Sequence, residues 1–119
     1  MFVFSDEYDQ MICEREGIVF VCEEVQSDYE EKMQKLAKAY YEKLDSIVEF
    51  MIDNRLQDFY EGFYDNLTLS FVKPKLGKPI IDLGIDCITY VEHTLDDEHI
   101  FTVEFEDYFE KLNYCTVDG

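Results

Sequence analysis

The feature that most limits what this chain can fold into is a long apolar stripe in its first half. Tyr29, Met33, Leu36, Tyr40, Leu44, Ile47, Met51, Leu56, Phe59 and Phe63 follow one another at steps of three, four or five residues. That spacing tracks one face of a helix, with a single longer step from Met51 to Leu56. Ser27 and Glu30 predict a capping box at its start, and Gly62 and Asn66 predict its end. A straight helix from Asp28 to Glu61 would measure about 50 Å at 1.5 Å per residue. That is long beside a gyration radius of roughly 13 Å for a domain of this size, so a bend or break is expected near Asp53-Asn54.

The flanks of the stripe alternate in the two-residue period of strands. Strands are expected at Phe2 to Phe4, Gln10 to Arg15 and Ile18 to Val25, the last two joined through Glu16-Gly17 so that Met11 faces Cys22, Cys13 faces Phe20 and Arg15 faces Ile18. Thr68 predicts a capped turn reaching Leu76, although Pro74 interrupts it. Beyond it, Ile80 to Leu83, Cys87 to His93, His99 to Glu106 and Leu112 to Val117 read as strands, with Thr94 to Glu98 as a turn. A five-residue loop there puts Val91 opposite Phe101, Thr89 opposite Val103 and Cys87 opposite Phe105. Ile88, Tyr90 and Ile100 then fall on the outer face. The expected fold is a single α+β domain over residues 1–119, a long amphipathic helix packed on an antiparallel β-sheet, in the order strands, helix, strands.

Composition narrows the function classes. A hydrophobic fraction of 47% supplies the apolar surface that a disordered acidic tail lacks. No apolar run is long enough to span a bilayer, and Met1 to Gln10 is acidic where a leader would be basic and then apolar; a cytoplasmic protein with no membrane partner is expected. Cys13, Cys22, Cys87 and Cys115 form no C-x-x-C pair and sit in apolar stretches, which predicts buried free thiols. No phosphate loop, dinucleotide fingerprint, nucleophile elbow or zinc-protease motif occurs. The expectation is a non-enzymatic protein without a cofactor.

Charge is the most unusual bulk property. There are 28 acids against 10 Lys and Arg, a formal net charge of −18, which opposes binding to nucleic-acid phosphates. From Pro79 to Glu110 the chain carries ten acids and no base. This stretch is expected to be a concentrated negative field that steers a basic protein partner. Glu92, Asp96, Asp97, Glu98, Glu104, Glu106 and Asp107 are its candidate contacts. Tyr90 is added on the outer sheet face. Tyr60 and Tyr64 are added because each sits about 100° around the helix from Phe59 or Phe63; with the phenylalanines inward, these tyrosines become interface anchors.

His93 and His99, the only histidines, are weak metal candidates with Asp97 or Glu98 as a third ligand; Asp96, Asp97 and Glu98 lack the twelve-residue loop and central glycine of a calcium site. The histidine spacing is not diagnostic, and no metal is expected. The chemical character fits an acidic protein-binding domain such as an immunity protein that neutralises a basic toxin. An accessory protein that homo-oligomerises, its acidity serving solubility, is the alternative. A nucleic-acid mimic is a third reading.

Overall fold

A computed structural model describes all residues, Met1–Gly119. Seven strands form one sheet whose spatial order is their chain order: β1 (Val3–Ser5), β2 (Gln10–Arg15), β3 (Ile18–Cys22), β4 (Pro79–Asp82), β5 (Cys87–Tyr90), β6 (Ile100–Glu106) and β7 (Lys111–Asp118). All neighbours are antiparallel except β3 and β4. That pair is parallel because the β3–β4 connection holds every helix and returns the chain to the end of the sheet where β3 began. The α+β fold read from the sequence is the fold observed.

The β2–β3 register is the expected one, with Met11, Cys13 and Arg15 opposite Cys22, Phe20 and Ile18. Its two-residue turn has positive φ at both Glu16 (52°) and Gly17 (78°), the primed geometry that follows strand twist.

The helix, α1 (Tyr29–Met51), continues unbroken through a π-helical turn, Ile52–Leu56, into a last α-helical turn, α2 (Gln57–Phe59). The expected break is therefore a local widening of the helix. Gln57 N–H donates to the Ile52 carbonyl, five residues back, which lets Met51 and Leu56, also five apart, both reach the core. The molecule measures 46 × 30 × 21 Å, and a 31-residue helix at 1.5 Å per residue accounts for the longest dimension. The expected capping box does not form. Asp28 is the cap residue and makes no side-chain cap bond, while both Glu30 carboxylate oxygens accept from one nitrogen, Arg15 Nη2, at 2.8 and 2.9 Å. Thr68 does cap the short α3 (Leu69–Val72), its hydroxyl accepting from Phe71 N–H.

One face of the sheet packs under the helix. Ile18, Phe20, Ile81, Ile88, Tyr90, Phe101, Val103 and Phe105 meet Met33, Leu36, Tyr40, Ile47, Met51 and Leu56 in one core. The four cysteines are buried and unpaired; burial pushes the Cys115 thiol up to about 12.

The β5–β6 register differs from expectation by one residue. Tyr90 pairs with Phe101, Ile88 with Val103 and Cys87 with Glu104, because β5 ends at Tyr90 and the connection is longer than five residues. A one-residue slip exchanges the two faces of a strand. Ile88 and Tyr90 are therefore fully buried and Val91 is exposed, whereas Ile100 lies outward as expected. Tyr90 tolerates the core because its hydroxyl meets that of Tyr40 at 2.8 Å. The larger side chains of β5 fill the space under the helix better than Cys87 and Thr89 would.

Candidate functional site

The π-helical turn decides what the end of the helix presents. One extra residue in the turn rotates the following face, so Leu56 and Tyr60 point inward, and Phe63 lies outward past the helix end, after Gly62 at φ +91°. Tyr60 is 4% exposed and Phe63 83% exposed, the reverse of the order expected from the stripe. Tyr64 is half-buried and donates its hydroxyl proton to the Leu95 carbonyl at 2.7 Å. Both tyrosines thus tie the helix end to the connection between β5 and β6.

That connection, residues 91 to 99, is knotted around Asp96. The carboxylate accepts from Tyr60 Oη at 2.5 Å, from the backbone N–H groups of Glu98 at 3.0 Å and His99 at 2.9 Å, and from His99 Nδ1 at 2.9 Å. Burial opposes its ionised form, but these four donors outweigh it and hold the carboxyl well below the usual range. Burial first, and then the bond to Asp96, raise Tyr60.

His93 is buried and stacks on Phe101 with centroids 3.8 Å apart. Its Nδ1 accepts from Leu95 N–H at 3.2 Å and its Nε2 lies 2.6 Å from the His99 carbonyl. One nitrogen must accept and the other must donate, so the ring is the neutral Nε2–H tautomer with no lone pair left for a metal. His99 is committed to Asp96 through Nδ1, and its ring edges onto Phe59 at 4.8 Å. The two histidines therefore organise the loop, and no three His, Cys, Asp or Glu side chains are arranged so that they could hold a metal ion.

A second anchor reaches the loop from the β4 side, where Thr94 N–H donates to the Lys75 carbonyl at 2.8 Å. Gly77, at φ +74°, brings its backbone against Glu92: a Cβ there would lie 2.9 Å from the Glu92 carbonyl oxygen. Gly77→Ala is expected to cost about 2 kcal/mol in urea unfolding. A loss under about 0.5 kcal/mol, the level of a neutral surface change, would mean that this contact does not position the loop.

The ten acids between Pro79 and Glu110 do not form one field. Asp96, Asp97 and Glu98 stand at one end of β6, Glu106 and Asp107 at the other. Six strand steps put about 20 Å between them, roughly two screening lengths at physiological salt. Lysines from other parts of the chain serve the far end. Lys32 pairs with Asp86 at 3.0 Å, Lys111 with Glu106 at 3.3 Å, and Lys43 with Glu110. Asn113 and Lys111 hold the Glu106 carboxyl below its usual range. Glu104, half-buried on the open sheet face, accepts from Asn113 and Tyr114.

At the near end, Asp97 and Glu98 are exposed and form no ion pair, and Asp58, Glu61 and Asp65, around an adjoining pocket bounded by Tyr64, form none either. These last three cluster where the helix ends, with no basic residue in the final turn. Negative charge there opposes the partial negative charge of the helix C-terminus. Between the loop and the helix end lies a cleft of about 400 Å³ lined by Phe59, Tyr60, Phe63 and Tyr64 on one side and Leu95 to His99 on the other.

Of the residues expected to bind a partner, Asp97 and Glu98 line this cleft as free carboxylates, and Asp96, Tyr60 and Tyr64 build its frame. Glu92 is exposed at the start of the same loop. Tyr90 is in the core, and Glu104, Glu106 and Asp107 lie elsewhere. Asp58, Glu61 and Asp65 were not singled out from the sequence, and Phe63 was expected inward on the stripe; acids gathered at the wrong end of a helix, followed by a phenylalanine just past its stop glycine, were the signal. Comparison with known proteins finds no match: no family model, no curated protein and no solved structure is similar to this chain.

Proposed function

We propose that the chain is a non-enzymatic acidic domain that docks a basic protein partner on the face made by the β5–β6 connection and the end of the helix. The observation that carries this is local: Asp97 and Glu98 line a cleft with the exposed Phe63, and Asp58, Glu61 and Asp65 line an adjoining pocket that shares Tyr64 with it, all five without an ion-pair partner, while lysines neutralise much of the far end. Gathering acids at a helix C-terminus costs stability, of order 0.3–1 kcal/mol each when near the last turn. A basic partner offsets that cost, and a desolvated aromatic supplies the centre that charge alone does not. A toxin-neutralising immunity protein is the class this character fits. Self-association through the same face is opposed by its own charge.

Capture from a lysate of the native cell tests the proposal. The wild-type chain is expected to retain a basic protein at low salt and to release most of it as ionic strength rises, because steering and rim contacts are screened. Retention of nothing basic, or retention indifferent to salt, would contradict it.

A further inference from the structure

The cleft beside the loop is more selective than a general acidic surface. One wall carries the exposed Phe63 ring and the half-buried Phe59 and Tyr64; the other carries the free carboxylates of Asp97 and Glu98. A ring face and a carboxylate on opposite sides of a gap suit a flat cation, which is attracted to the ring quadrupole and forms forked bonds to carboxylate oxygens. An ammonium group is compact and strongly hydrated, so it exploits the ring less well. The chain already makes both contacts separately. Arg15 Nη2 donates to both Glu30 carboxylate oxygens, and the Arg55 guanidinium sits 5.9 Å from the centre of the Phe59 ring. Arg55 thus occupies Phe59 and leaves Phe63 as the open ring. The neighbouring cleft of about 600 Å³ on the other side of the loop offers Val91 and Ile100 but no free aromatic face, since the His93 ring is stacked on Phe101. A metal ion is a poor occupant, because no three of the potential ligands are arranged to hold one.

Resting on the docking reading above, we propose that this cleft receives one arginine side chain of the basic partner, its guanidinium against Phe63 and the carboxylates of Asp97 and Glu98. The partner's arginine would then be the anchor of the complex, with the remaining acids steering its approach.

The test is an NMR titration of the full chain with N-acetylarginine amide, and with the corresponding lysine and citrulline amides. The arginine amide is expected to give saturable shifts confined to residues 59–64 and 95–99, with a dissociation constant on the order of a millimolar. The lysine amide should bind at least about threefold more weakly, and the neutral citrulline amide should not saturate. Phe63→Ala, which removes an exposed ring, should weaken the arginine amide roughly three- to fivefold and leave the remaining spectrum unchanged. Equal shifts from arginine and lysine spread over the acidic surface, or an unaffected Phe63→Ala, would overturn the assignment. A captured basic protein that binds Phe63→Ala as tightly as wild type would sink the arginine cleft and leave the docking reading standing. Saturable arginine binding in a chain that captures no basic protein would do the reverse.

Discussion

Replacing Asp96 with alanine is expected to cost about 3 kcal/mol and to loosen residues 91–99 as a unit. The substitution strands the Tyr60 hydroxyl, two backbone N–H groups and the His99 ring, all of which now donate to one carboxylate. A removed charged acceptor costs more than a neutral one, because its donors stay partly desolvated. Asp96→Asn keeps the shape and one acceptor oxygen and should cost less. The two variants also isolate a pH effect. The folded-state pKa of Asp96 lies below its unfolded value of about 3.9, so its contribution is fully present above that value and is lost as pH falls toward the folded pKa. The stability gap between wild type and Asp96→Asn should therefore be wide at pH 7 and narrower near pH 3. A gap that widens on acidification would show that the carboxylate is not held ionised by these donors.

Phe101→Ala should be the most damaging single truncation near the site, at about 4 kcal/mol or roughly 15 °C in Tm. Phe101 is fully buried, carries the His93 stack and edges onto Tyr60 at 6.3 Å. Its loss removes the floor on which the loop is built as well as core volume. Phe63→Ala, on a residue of the same type, should change stability by less than about 0.5 kcal/mol, because the ring is exposed. Thermal unfolding of the two variants side by side measures both. Comparable losses would mean that Phe63 packs inward as the bare stripe suggests, and the cleft would not exist.

The long helix was legible because its stripe persists over many turns, and its five-residue step from Met51 to Leu56 is the trace of the π-helical turn. The consequence of that step was not legible. Which of Phe59 and Tyr60 turns inward depends on one inserted residue, both phases of the pattern are aromatic, and Phe63 falls past the helix end, after Gly62. The β2–β3 register could be read because a two-residue turn leaves no freedom. The β5–β6 register could not, since its long connection is set by bonds from Asp96 and His93 to backbone groups rather than by a turn type. Burying Tyr90 requires the hydroxyl of Tyr40, 50 residues away, and no local pattern announces such a partner. Acidity was plain from composition, but its division into a lysine-served end and an unserved end depends on Lys32 and Lys43 reaching across from the helix.

That division is the central claim, and charge-matched variants test it most directly. One variant carries Glu61→Gln, Asp97→Asn and Glu98→Gln; the other carries Glu106→Gln, Asp107→Asn and Glu110→Gln. Each removes three negative charges, so net charge cannot distinguish them. In capture of a basic protein from the native cell's lysate, the first variant should lose at least about tenfold in affinity while the second stays within about twofold of wild type. Equal losses in the two would show that bulk charge, and not the face between the β5–β6 connection and the helix end, does the binding.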